Sequence, residues 1–304
     1  MEIRDINYFR TVAEHGNIGR AAEALNISPT ALSKSLRRLE SSVGAKLTKR
    51  TAKGVDLTAA GMALIDRAQK LQVTMDDIRR EAADIGSGLA GHIRAGFPVG
   101  VCEYCVLDAF AALRRESPQI SLGATTLLGK QLTPYVMSGQ GDFVVRTMTD
   151  TLPDELACEE LFRDKRLVIA SARHPLVRRK RVTLADLSKE QWTSQDESIT
   201  WVDTCQLFGA RGLPLPKQKL VASSSEMRLA MVENSNLVMC YSSTVSRKAR
   251  ERYGIVELPV EGFDMERGIG VCYRKDGYLS PAARRMIEIL KEQGRKITAK
   301  QRVR

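Results

Sequence analysis

The feature that most constrains this chain lies between residues 58 and 85. Leu64, Ala68, Leu71, Met75, Ile78, Ala82 and Ile85 recur at intervals of 4, 3, 4, 3, 4 and 3, the a/d rhythm of a coiled-coil seam. Thr58 stands where a cap belongs. A lone helix with such a stripe has to meet another chain or pack on a body of its own. Read as a seam on Leu64, Leu71, Met75 and Ile78, it predicts a homodimer. Gly86-Ser87-Gly88-Leu89-Ala90-Gly91 then breaks the period and reads as a hinge. The rod separates two different patterns: short helices before it, strands alternating with helices after it.

In the first segment, Ile3, Ile6, Phe9, Val12 and Ala13 share one helical face, and Gly16 is a natural stop. A short second helix spans 19–25. Ser28 and Pro29 are an N-cap and a first helical residue, opening a third helix over 30–40. Its apolar stripe is Ala31, Leu32, Leu36 and Leu39, and Thr30, Ser33, Lys34 and Arg37 occupy the opposite face. Short hydroxyls and long cations on one side of a short helix suit the major groove of double-stranded DNA. Residues 46–58 read as a β-hairpin with a basic tip, where Lys49, Arg50 and Lys53 reach phosphates. The candidate DNA-binding residues are Arg20, Ser28, Thr30, Ser33, Lys34, Arg37, Arg50, Thr51 and Lys53. A small helical bundle with a solvated basic face accounts for the same spacing without DNA.

After residue 92, strands at 92–97, 120–127, 141–145, 166–170, 219–222, 237–240 and 268–273 alternate with helices, the last over 281–291. This argues a parallel-rich α/β body. Ligands in such folds sit at the carboxyl ends of strands. The turn Pro98-Val99-Gly100 precedes a helix whose free amides favour an anion, and Leu128 closes the next strand. Arg146 follows the strand ending at Val145, placed to clamp a carboxylate. Ser194, Gln195, Ser198 and Thr200 are further polar candidates. A small organic anion is the expected ligand, and a surface-loop position is the plain alternative for each residue.

Ala21-Ala22, Leu25, Ser28, Ala31-Leu32-Ser33, Leu39-Glu40, Gly44, Leu47, Arg50, Leu57-Thr58 and Gly61 together resemble the winged helix–turn–helix of the LysR-type transcriptional regulators. Pro29 stands where that family usually has Gln, and Thr48 where it usually has Phe. The departure at Pro29 bears on base preference and that at Thr48 on how firmly the wing is held. Gly141-Asp142, His174-Pro175-Leu176, and Asp186-Leu187 before Trp192 extend the resemblance into the body. It implies an N-terminal winged helix–turn–helix (all-α with a small β wing) over 1–58. A long dimerisation linker helix and hinge follow over 59–88. A C-terminal α/β two-lobed, periplasmic-binding-protein-like effector domain then spans 89–304. Lobe I is expected at about 89–163 and 266–304, lobe II at about 164–265. The implied partners are a promoter site with partial two-fold symmetry, a small-molecule effector, and a second copy in a homodimer or homotetramer.

The net charge of +11 comes from 47 basic and 36 acidic residues. It is concentrated in residues 1–58 (+4), 163–181 (+7) and 291–304 (+5). The middle run reads as a solvated face or inter-subunit contact, the last as a disordered arm adding nonspecific affinity. No apolar run approaches the roughly 20 residues of a membrane helix, and no signal core opens the chain, so no membrane partner and a cytoplasmic location are expected. Six cysteines then read as reduced thiols. Cys102-x-x-Cys105 opens a helix, where a thiol pKa falls, but no second pair supports zinc. Cys158, Cys205, Cys240 and Cys272 read as core residues. No metal, cofactor or enzyme motif is expected. Two other readings stay open: a constitutive DNA binder without effector, and a solute-binding or enzymatic α/β protein with an incidental basic N-terminus.

Overall fold

The computed structural model describes residues 1–51, 54–85, 91–148, 152–195 and 199–302. Two compact units, Met1–Arg79 and Arg80–Arg304, make up the chain.

The first unit contains α1 (Ile3–His15), α2 (Ile18–Ala24), α3 (Pro29–Val43), the hairpin β1 (Thr48–Thr51) and β2 (Gly54–Leu57), and most of α4 (Ala59–Asp84). Local chemistry sets each boundary. Gly16 ends α1 in the left-handed region at φ 59°. Asn17 Oδ1 caps α2 by accepting from the Gly19 and Arg20 amides. Ser28 Oγ accepts from Ala31 N at 3.1 Å, with Pro29 in the first turn of α3. Thr58 Oγ1 accepts from Gly61 N at 3.0 Å and opens α4. Ile6, Phe9, Leu36, Leu39, Leu47 and Ala68 form one buried cluster, and Val12, Ala21, Ala22 and Leu32 another. A Cβ at Gly61 would lie 2.1 Å from the Leu47 carbonyl oxygen, so only glycine lets α4 approach the wing this closely.

The seam of α4 divides in two. Leu64 and Ala68 pack into the core of their own unit, because the helix start doubles as a wall of that small bundle. Met75 is half-buried, whereas Leu71 (40% exposed), Ile78 (59%) and Ile85 (78%) face outward. Of the expected hinge, 86–90 lies outside the described residues.

The second unit runs β3 (His92–Phe97), α5 (Val101–Glu116), β4 (Ser121–Thr126), α6 (Gly129–Met137), β5 (Phe143–Thr147) and β6 (Leu156–Ser171). It continues α7 (Leu184–Leu187), β7 (Gln191–Ser194), α8 (Ile199–Gly209), β8 (Lys217–Val221), α9 (Ser225–Glu233), β9 (Leu237–Ser242), α10 (Ser243–Arg252), β10 (Ile255–Glu257), β11 (Glu266–Arg274) and α11 (Pro281–Arg302). Strand order is β4-β3-β5-β11-β6-β9-β7-β8, with β10 beside β6. The outer groups, β4-β3-β5 and β9-β7-β8, are parallel. Antiparallel pairs join them: β11 with β5 and with β6, and β6 with β9. Two lobes therefore share two crossing strands, β6 and β11.

The sequence places a strand only at 166–170, yet β6 starts ten residues earlier. Charges at Glu159, Glu160 and Arg163 mask the strand pattern there, and pairing with β11 decides the outcome. The family landmarks have physical roles. A Cβ at Gly141 would meet the Tyr135 ring at 2.1 Å. Asp142 accepts from the Arg94 amide at 2.8 Å and pairs with Arg94 and Arg80. His174 Nδ1 accepts from Leu176 N. Trp192 is buried against Trp201 and Phe208 and donates to the Leu187 carbonyl.

Three expectations are corrected. Residues 291–302 continue α11 and are not a disordered arm; Met286, Ile287, Ile289 and Leu290 bury its apolar face. The basic run 163–181 is not a uniform solvated face, since Asp164 and Arg166 are buried while Arg178–Arg181 are exposed. Cys158 and Cys272, partners in the β6/β11 register, form a disulfide and are not separate thiols. Among the described residues no helix is long and apolar enough to cross a membrane.

Candidate DNA-reading helix and interlobe cleft

Helix α3 buries Leu32, Ser35, Leu36, Leu39 and Glu40. The opposite side carries exposed Thr30, Lys34 and Arg37 with half-buried Ser33. Arg20 is exposed on α2, and Arg50 and Thr51 are exposed on β1. Ser28 is exposed and caps α3 as an acceptor, which leaves its hydroxyl hydrogen to donate, and Lys53 lies outside the described residues. What fixes this face is a contact the sequence reading missed. Asp5, fully buried on α1, accepts from Ser35 Oγ at 2.5 Å and from Arg38 Nε at 2.8 Å. The Arg38 hydrogen bonds hold the Asp5 carboxyl below its ordinary pKa. Glu40 does similar work at the other end. Burial would raise its pKa, but Lys46 and the Leu47 and Thr48 amides outweigh that and lower it. Arg38 thus braces α3 on α1, and Glu40 ties α3 to the wing, leaving Lys34 and Arg37 to project.

In the second unit a cavity of about 420 Å³ opens between the lobes. Pro98, Val99, Gly100, Leu128 and Arg146 line it from lobe I, and Ser194, Gln195 and Thr200 from lobe II. Ser198 lies outside the described residues. Arg146 is not beyond the strand but within β5, buried, where it donates to Thr133 Oγ1 at 2.8 Å and to the Thr147 carbonyl. The sequence reading missed Arg166, Arg228 and Arg267, which also line the cavity. A signal existed for Arg166: a cation opening the apolar run Leu167-Val168-Ile169-Ala170 needs a buried partner. Cys102 lines the same wall but is no reactive thiol, since burial pushes it up to about 12. The helix-start effect expected for Cys102 and Cys105 is overridden, both thiols being raised by burial. No group of three or more potential metal ligands occurs among the described residues.

A winged helix–turn–helix followed by a cleft-bearing α/β domain defines a DNA-binding transcriptional regulator. Residues 3–62 match the bacterial regulatory helix–turn–helix protein model of the lysR family, and 86–295 match the LysR substrate binding domain. The chain belongs to the LysR family of transcriptional regulators, which are not enzymes. Among its relatives, the HTH-type transcriptional regulator GbpR of Azospirillum brasilense is 26% identical over 96% of this chain and 86% of that one. The dual regulator OxyR of Escherichia coli (strain K12) is 26% identical over 96% of this chain and 95% of its own. YnfL of the same strain is 31% identical over 66% of this chain and 67% of its own. A full-length OxyR variant from Pseudomonas aeruginosa superposes with TM-score 0.64 at 21% identity, covering 97% of this chain and 95% of that one. CbnR complexed with its target DNA gives 0.64 at 20%, covering 96% and 99%.

Proposed function

We propose that residues 1–58 read a promoter site through α3, 59–88 dimerise the chain, and 89–304 sense a small organic anion in the interlobe cleft. The face of α3 carries this reading: Thr30, Ser33, Lys34 and Arg37 project from a helix braced by Asp5–Arg38. Arg20, Ser28, Arg50, Thr51 and Lys53 add phosphate contacts around it. Two copies paired through Leu71, Met75 and Ile78 present two such helices to a site of partial two-fold symmetry, as a homodimer or tetramer in the cytoplasm. Pro98, Val99, Gly100, Leu128, Arg146, Ser194, Gln195, Ser198 and Thr200 contact the effector. Lobe closure on it changes DNA binding or bending.

The test is footprinting and binding titration on the intergenic DNA beside the protein's own gene. Ser33→Ala with Arg37→Ala is expected to lower specific affinity by about 1–3 kcal/mol per lost base contact and to relax specificity. Unchanged affinity and specificity in the folded double variant would overturn the α3 assignment.

A further inference from the structure

Among the described residues, the arginines of the cleft outnumber the carboxylates that answer them. Four arginines line it: Arg146 on β5, Arg166 on β6, Arg228 on α9 and Arg267 on β11. Among the described residues, one fully buried carboxylate answers them. Asp164 Oδ2 lies 3.6 Å from Arg166 and 3.4 Å from Arg267, and its Oδ1 accepts from Ser242 and Thr244. The remaining guanidinium bonds go to neutral groups. Arg146 donates to Thr133 and a carbonyl, Arg166 to Cys240, Arg267 to Thr147 and Thr200, and Arg228 to the Ala222 carbonyl. Asp203 on α8 is a further carboxyl that feels Arg267 and Arg166, and burial raises its pKa. Counted as ionised, it still leaves two of the four arginines without a carboxylate among the described residues.

Two buried polar atoms of lining residues also lack a hydrogen-bond partner: Arg228 Nε, in a residue 7% exposed, and Thr193 Oγ1, in a residue 1% exposed. Buried charge without a counterion and buried donors without acceptors are both unfavourable. Burial pulls Arg228 down to about 10, which leaves it cationic at neutral pH. The arginines also belong to different parts of the fold, Arg146 to the β4-β3-β5 group, Arg228 to lobe II, and Arg166 and Arg267 to the crossing strands.

From these observations we propose that the cleft takes a small organic polyanion, carrying at least two carboxylate or phosphate groups, that spans the arginines of both lobes. A monocarboxylate answers one guanidinium by a two-point bond and leaves the rest unneutralised. This deepens the effector reading of the same cleft and rests on it.

The test uses the full-length protein at constant ionic strength. Thermal shift and titration calorimetry are run with citrate, succinate and fructose 1,6-bisphosphate against butyrate and neutral succinamide. The polyanions are expected to bind at least tenfold tighter than butyrate, and the better arm separates carboxylate from phosphate. Arg228→Gln is expected to raise the melting temperature of the unliganded protein and to weaken the polyanion response tenfold or more. Arg146→Gln tests the other lobe if that variant folds poorly. Butyrate or succinamide binding as well as the polyanions, or no polyanion binding, would overturn the proposal. DNA titration beside each probe separates the two readings. A polyanion that binds but leaves DNA affinity and bending unchanged removes the effector role and keeps the site. A neutral or monoanionic compound that changes DNA binding keeps the effector role and removes the polyanion.

Discussion

Asp5 shows how one side chain governs a surface it does not reach. It is buried under α3, holds Ser35 and Arg38, and so sets the pitch of the helix carrying Arg37. Asp5→Ala leaves Arg38 and Ser35 without their acceptor. It is expected to cost about 1–3 kcal/mol, read as a lower melting temperature of the N-terminal unit, and to weaken DNA binding without removing any DNA-facing group. The same pair gives a pH signature. The folded pKa of Asp5 lies below its unfolded value, so its contribution is complete above the ordinary carboxylate pKa and is lost as pH falls through the lowered value. Glu40 acts in the same direction. Acid unfolding of this unit is expected to set in below ~pH 4, and Asp5→Ala is expected to flatten that dependence in circular dichroism. Local capping was legible in the sequence, since Ser28, Pro29, Thr58 and Gly16 act within a few residues of themselves. The Asp5–Arg38 pair was not, because 33 residues separate its members and no local spacing signals it.

For the elements, close approach separates glycines that matter from those that do not. Gly61→Ala would drive a methyl into the Leu47 carbonyl and is expected to destabilise by about 1–3 kcal/mol. Gly44→Ala meets open space and carries only the roughly 1–2 kcal/mol of left-handed backbone. Denaturant melts of the two variants check the order. For α4, Leu71→Lys with Ile78→Lys is expected to shift sedimentation toward the monomer while the fold is kept, because both side chains are already exposed in the single chain. The helical period was readable over 58–85, but it could not say that Leu64 and Ala68 serve the home core. Short strands with plain patterns, the alternating β3 and the apolar run of β9, were equally legible. The first half of β6 was hidden, because residues 156–165 pair with β11 on one side only, and such an edge carries charges that sequence patterning reads as loop.

On the scale of the molecule, the uneven charge pointed to partners but not to their places. The first +4 sits on the DNA-reading unit, whereas the +7 run divides between an exposed stretch at 178–181 and the buried Arg166 of the cleft. The α/β body was legible from β/α alternation, and its two lobes from the resemblance that the landmark residues carry. The arginine cluster was not, since Arg146, Arg166, Arg228 and Arg267 converge only after both crossings are made.

Those crossings also set an order in time. Lobe II is one continuous stretch, able to complete its own sheet soon after β10 has left the ribosome. Lobe I begins about 170 residues before its last strand is made, by the interval from β3 to β11. Its core lacks Ile269, Val271, Ala283, Met286 and Leu290 until then, and the edge of β5 waits without a neighbour. During synthesis, the half of the cleft that is translated first is therefore the half that folds last, and the nascent chain carries an open parallel edge for that interval.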